Sequence, residues 1–283
     1  MFISPRADCQ VHATPETTNG LVTATTATWV AESELAGQIA IVTGAARAIG
    51  RRTAETLAAR GATVVSIDLT PADETVAAIE AAGGNALSIA GDVTDEVTVG
   101  RAVDQVLESY GRVDILVNNA GLFAGLERRP FWEIDLDEWE RVLEVNVRSV
   151  FLCSRAVALP MRAAGSGRIV NIASNVITFG MPNLMHYVAS KAAVVGMTRS
   201  MARELGPSGI AVNAVAPGLV TTEITEQTVP EEYRLQVAQG QCIQEAILPT
   251  DIADAVVYLA GPGARMVAGQ TLLVNGGATM GPV

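Results

Sequence analysis

Between residues 35 and 277 the chain alternates short apolar runs with longer stretches in which apolar positions recur every three or four residues. The runs "IAIVT" (39–43), "ATVVSID" (62–68), "ALSIAG" (86–91), "VDILVNNAG" (113–121), "RIVNIAS" (168–174), "IAVNAVAPG" (210–218) and "TLLVNGG" (271–277) end in turn formers, the pattern of buried strands. Helical periodicity falls near 48–60, 71–82, 95–109, 135–163, 185–206 and 249–260. Strict alternation of β and α elements implies right-handed crossovers and a parallel sheet covered by helices on both faces. The expected fold class is therefore α/β, a single doubly wound domain over 34–283 with its ligand site at the carboxyl ends of the strands. Residues 1–33 are Thr-rich and lack the charged start and apolar core of a secretory signal, which predicts a flexible extension. A transit peptide is the weaker reading, because Asp8 and Glu16 are present and Arg6 is the only arginine there.

Composition narrows the partners. A net charge of -11 over 283 residues offers no basic surface for a phosphate backbone, so nucleic acid is not expected. Apolar runs such as 214–220 fall far short of the roughly 20 residues of a membrane helix. Cys9, Cys153 and Cys242 are odd in number and irregular in spacing, which supports neither disulfides nor a metal site and fits free thiols in a reducing cytoplasm.

Within "IVTGAARAIGRR" (41–52), Gly44 can supply a tight turn and Gly50 close helix packing, while the helix amino terminus presents unpaired N–H groups to a pyrophosphate. Asp68 ends the next strand, 18 residues after Gly50, where a ribose hydroxyl finds its acceptor in dinucleotide sites. The plain alternative is a βα turn with no ligand. No GxxxxGK[ST] run is present, which disfavours a nucleoside-triphosphate loop. "YVASK" sets Tyr187 and Lys191 four residues apart on one helical face, so an ammonium can favour phenolate in a group whose ordinary pKa is about 10. Ser174 ends a predicted strand upstream. Asn146 sits in the middle of an apolar stripe made by Trp139, Leu143, Val150, Cys153 and Val157; its amide either bridges backbone groups or holds a water in a proton path.

"TGAARAIG", "NNAG" (118–121), Asn146, Ser174, "YVASK" and "PGLVTT" (217–222), in this order, resemble the short-chain dehydrogenases/reductases over residues 35–277. The resemblance implies a seven-stranded Rossmann sheet, Tyr187 as general acid/base, Lys191 lowering its pKa and holding a nicotinamide ribose, Ser174 orienting the substrate oxygen and Asn146 supporting a water-mediated relay. It also implies cofactor contacts from Gly44, Arg47 and Ile49 in the loop, Asp92 and Val93 at the adenine, Asn119, Ala120 and Gly121 centrally, and Val220 and Thr222 at the nicotinamide amide. Bland uses stay open: Asp92 can cap a helix, Asn119 can tie strands and Thr222 can start a helix. A homotetramer packed through 135–163 and 185–206 is a further implication.

Asp68 would accept from a 2'-hydroxyl and repel a 2'-phosphate, so NAD is favoured over NADP, although Arg47 stands where NADP-dependent members often carry a basic residue. The segment 175–186, with Phe123 and Trp132, predicts an apolar wall for a hydrophobic or cyclic alcohol, and 219–246 a mobile lid. Arg128 and Arg129 can recruit an acidic substrate or simply be solvated; His186 projects from another helical face than Tyr187. The leading reading is an alcohol dehydrogenase or ketone reductase, the rival a catalytically idle dinucleotide-binding sensor or partner. Ala48 replaces the middle glycine of the family's TGxxxGxG, and a helical conformation there would accommodate it.

Overall fold

The computed structural model describes residues 33–281. The expectation of a flexible head lies, Ser33 apart, outside them.

Seven strands form one sheet: β1 (Ile39–Thr43), β2 (Thr63–Asp68), β3 (Asn85–Ala90), β4 (Ile115–Asn118), β5 (Gly167–Ile172), β6 (Ile210–Pro217) and β7 (Thr271–Val274). Their order is β3-β2-β1-β4-β5-β6-β7, and every neighbouring pair is parallel. This is the expected doubly wound fold. Every residue of β1, β4 and β6 is buried, as a central parallel strand covered on both faces requires, whereas the edge strands β3 and β7 are partly exposed. On one face α1 (Ala48–Ala59) packs on α10 (Pro249–Ala260), joining Leu57, Ile252 and Val256 to Val42 and Val117 of the sheet; α2 (Asp73–Ala81) adds Ile79. On the other, α3 (Glu96–Tyr110) and α5 (Ser149–Ala164) bring Val99, Val103, Leu152 and Met161 against Ile41, Leu116 and Ile169. The long α7 (Met185–Leu205) covers β6, with Val194 against Ala214 and Ala216.

Three elements differ from the sequence expectation. β4 stops at Asn118 because the N–H groups of Asn119 and Ala120 leave the ladder and both donate to Thr43 Oγ1 at 3.0 Å. The helix expected over 135–163 is divided into α4 (Leu136–Leu143), a π-helical turn over Glu144–Arg148, and α5. Residues 219–246, expected as a mobile lid, hold two helices that the periodicity did not predict, α8 (Glu223–Thr228) and α9 (Glu231–Gln239), and a short α6 (Val176–Phe179) lies upstream.

Candidate active site

The order reverses between β1 and β4, the position at which open α/β sheets leave a crevice beyond their carboxyl ends. A cleft of about 490 Å³ occupies it, within the range of small-molecule and cofactor sites. Gly44, Arg47, Ile49, Asp68, Asp92 and Val93 line one half, and Asn119, Ala120 and Gly121 the middle. Ser174, Tyr187, Lys191, Val220 and Thr222 line the other half. Asn146 is not in the wall; it stands behind Gly121, where an added Cβ would lie 3.4 Å from both Asn146 Oδ1 and Lys191 Nζ.

The loop from β1 to α1 has the form an anion cradle needs. Gly44 is left-handed at φ +66°, and a Cβ on Gly50 would lie 1.9 Å from the Gly44 carbonyl oxygen and 2.5 Å from Asn119 Nδ2. Only glycine permits that approach. Asn119 Nδ2 donates to the carbonyls of Thr43 and Gly44 at 3.0 and 2.9 Å, so its strand-tying use is realised while the residue still faces the cleft. Asp68 Oδ2 accepts from the Ala46 N–H at 3.0 Å, which fixes the carboxylate at the end of β2 beside the exposed Leu69. The glycine-lined close approach, the amino end of a twelve-residue helix whose N-cap residue makes no side-chain bond, and the placed carboxylate fit a dinucleotide.

Ala48 departs from expectation. Its φ is +51°, left-handed and not helical, and its N–H donates to Glu223 Oε1 of α8 at 2.9 Å. Asp92 does not cap α3; that cap is Asp95, which accepts from the Thr98 N–H, while Asp92 Oδ1 closes a turn on Thr94. Thr222 caps α8 and Thr225 returns the bond to its N–H.

At the far end Tyr187 and Lys191 are buried on one face of α7, with Nζ 5.9 Å from the phenol ring centre. Burial pushes the Tyr187 phenol up to about 12, opposed by a hydrogen bond with Ser174, and pulls the Lys191 ammonium down to about 8. Burial is the larger cause at both groups, and Lys191 Nζ donates to the Ile172 carbonyl at 2.9 Å.

Asn146 lies in the π turn, a distortion common at functional sites. Its Oδ1 accepts from the Leu122 N–H at 2.6 Å, and Nδ2 donates to the Leu122 carbonyl at 3.1 Å and to Ser190 Oγ at 3.0 Å. Ser190 Oγ in turn donates to the Tyr187 carbonyl at 2.7 Å. The amide therefore bridges backbone groups and ties the loop after β4 to the helix carrying Tyr187.

Phe123, Val176, Phe179 and Met181 line the apolar wall, with Phe123 5.0 Å from the Tyr187 ring. Trp132 does not: it is 71% exposed and meets Phe131 edge-on. His186 is buried on another face, its Nε2 3.2 Å from Glu138 of α4. Thr43, Ser190, Glu223 and Tyr233 escaped sequence reasoning. Only Ser190, one turn after Tyr187, carried a spacing that could have exposed it.

Among the described residues no helix is long and apolar enough to cross a membrane, and no group of three or more His, Cys, Asp or Glu converges as a metal site. Residues 44–279 match a family model described as Enoyl-(Acyl carrier protein) reductase. The chain is 41% identical over 245 residues to a cis-4-hydroxycyclohexanecarboxylate dehydrogenase of Sinomonas cyclohexanicum, covering 86% of this chain and 97% of that one. It is 38% identical to a 3-oxoacyl-[acyl-carrier-protein] reductase of Synechocystis over 87% of this chain and 98% of the relative. A solved structure of a proposed gluconate dehydrogenase from Agrobacterium tumefaciens superposes with a TM-score of 0.83 at 32% identity, covering 87% and 98% of the two chains. Sheet order, cleft and these relatives agree: the chain belongs to the short-chain dehydrogenase/reductase family, a family of oxidoreductases.

Proposed function

We propose that the protein is an NAD-dependent alcohol dehydrogenase and ketone reductase acting on a small secondary alcohol or its ketone. The observation that carries this reading is the convergence of Ser174, Tyr187 and Lys191 on one end of a cleft whose other end is a glycine-lined cradle beside Asp68. NAD is favoured because Asp68 lines the cradle end, with only the exposed, uncharged Leu69 after it. Arg47 also lines that end and is the residue through which NADP would be accommodated. Gly44, Ile49 and the α1 amino terminus would hold the pyrophosphate, Asp92 and Val93 the adenine, Asn119 to Gly121 the middle, and Val220, Thr222 and Lys191 the nicotinamide end. When bound, the nicotinamide accepts the hydride, and with it both electrons of the carbinol C–H bond, or returns them to a ketone.

The chain's own residues manage the proton. With its pKa pushed up to about 12, the Tyr187 phenol is protonated at neutral pH and is placed to donate to a ketone oxygen, becoming phenolate; in oxidation it must first release that proton to solvent, and the phenolate then takes the hydroxyl proton as the C=O bond forms. Ser174, hydrogen-bonded to Tyr187, orients that oxygen. The Lys191 ammonium supports negative charge on the phenol, and Asn146 holds the loop after β4 against α7. A relative named for a hydroxylated cyclohexane supports a cyclic alcohol as substrate. Free Cys153 and Cys242 fit a cytoplasmic enzyme. A homotetramer is supported by α5, which presents Phe151 and Leu159 to solvent.

The test is a panel of secondary alcohols and ketones with NAD(H) and NADP(H), followed by absorbance, on wild type and Tyr187→Phe. The variant should bind NADH as wild type does and lose about 10²- to 10⁴-fold in turnover. Unchanged turnover would remove Tyr187 from the mechanism. NADH binding without turnover of any wild-type substrate would favour the idle binding protein.

A further inference from the structure

The cleft is not uniform in charge. Its two lining carboxylates, Asp68 and Asp92, both lie in the cradle half. The half beyond Tyr187 is lined by Arg128 and Arg141 and by no acidic residue, in a chain with 30 acidic against 19 basic side chains. The two arginines differ. Arg141 is paired with Glu144 at 2.9 Å. Arg128 has no carboxylate within ion-pair distance among the described residues; the neighbouring Glu127 is taken by Arg129. Instead the Arg128 guanidinium lies 5.7 Å from the ring centre of Tyr233, a cleft-lining residue of α9. An aromatic face holds a guanidinium in place while leaving its in-plane N–H groups free, and those groups match the two oxygens of a carboxylate.

Depth adds a constraint. Ser174 and Tyr187 are each only 8% exposed, while Arg128 is exposed at the mouth. Between them the wall is apolar, built from Phe123, Val176, Phe179, Ile224 and Val237. Resting on the dehydrogenase reading above, we propose that the substrate is a carboxylic acid whose hydroxyl- or oxo-bearing carbon is separated from the carboxylate by an apolar ring or chain. Arg128, held over the Tyr233 ring, is the residue that binds the carboxylate. The reacting carbon loses or gains hydride as described, and the carboxylate takes no part in the chemistry.

The test separates this assignment from the dehydrogenase reading by including a ligand that cannot react. NADH binding is first measured by fluorescence, and the NADH-saturated protein is then titrated calorimetrically with cyclohexanecarboxylate and with its methyl ester. Wild type should bind the acid at least ten-fold more tightly than the ester. Arg128→Met should abolish the difference, and Arg128→Lys should restore part of it. Equal affinity for acid and ester in wild type, including no measurable binding of either, overturns the proposal, as does a preference that persists in Arg128→Met. In turnover, 4-oxocyclohexanecarboxylate should exceed 2-oxo-2-cyclohexylacetate at least ten-fold in kcat/KM, and an equal or reversed order overturns the separation of the two groups. Failure of the dehydrogenase reading looks different: no ketone of any charge is reduced, whatever the calorimetry shows.

Discussion

Ala48 holds a left-handed backbone with a methyl group attached, at the head of the helix that faces the cradle. The conformation costs an L-residue roughly 1–2 kcal/mol, more than the unfolded-state entropy that alanine saves relative to glycine. Ala48→Gly should therefore raise stability by about 1 kcal/mol, read as a higher urea midpoint at unchanged slope. A lower midpoint would show that the strain is relieved elsewhere. Lys191 gives a second residue-scale prediction. Its folded pKa of about 8 lies below the ordinary 10.5, so between these values the unfolded chain binds the extra proton and stability gains with rising pH. The penalty of burying the ammonium is full below about pH 8 and fades toward 10.5. Lys191→Met should be the more stable protein at pH 7, by on the order of 2 kcal/mol after loss of the bond to Ile172, and the gap should close by pH 10. Urea unfolding from pH 7 to 10 checks this, and a gap independent of pH would remove desolvation as its cause. Tyr187, Lys191 and Ser174 were legible in sequence because helical spacing and a strand end place them. Their electrostatics were not, because desolvation depends on walls contributed by distant segments. Arg128 was legible only as one of two equivalent arginines until Tyr233 distinguished it.

Elements built from continuous apolar runs or clean periodicity were legible almost to the residue; β1 and α10 coincide with their expected ranges. The failures share a cause, local competition from side-chain hydrogen bonds across the fold. Thr43 Oγ1 takes the N–H groups that would have extended β4, and Asn146 binds both backbone groups of Leu122 from within the π turn. The contact from α8 to α1 is of the same kind, 175 residues apart in sequence. Glu223 places a carboxylate on an N–H of the loop that would receive a pyrophosphate, and like charges there oppose each other. Glu223→Gln retains an oxygen acceptor for Ala48 and removes the charge, so NADH should bind about 1 kcal/mol, roughly five-fold, more tightly at low salt. The gain should shrink as ionic strength rises. Fluorescence titration measures both, and weaker binding by the variant would show that Glu223 supports the bound dinucleotide.

At the scale of the whole molecule two features pull against each other. Each chain carries a net charge of -11, and assembly brings such charges together. Yet α5 exposes Phe151 at 49% and Leu159 at 70%, large apolar groups that gain by burial between copies. Phe151 lies 5.2 Å beneath the Arg155 guanidinium, and Arg155 is paired with Glu96 of α3 at 2.6 Å, so this face also holds a cation within its apolar surface. For a tetramer, light scattering should give a mass of about 118 kDa, four times the 29.5 kDa chain. Because the opposing term is long-range repulsion and the favourable one is apolar contact, salt should strengthen assembly: at about 0.01 M the Debye length is near 30 Å and repulsion spans the interface, at 0.15 M it is near 8 Å. A mass that falls on dilution at low salt and recovers at 0.15 M is the expected result. Leu159→Arg should lower the mass at both salt concentrations while leaving the fold intact, since the side chain it replaces is already exposed in the single chain. A tetramer unaffected by Leu159→Arg would place the interface elsewhere than α5, and a chain of 29.5 kDa under all conditions would mean that these apolar groups face solvent in the working enzyme.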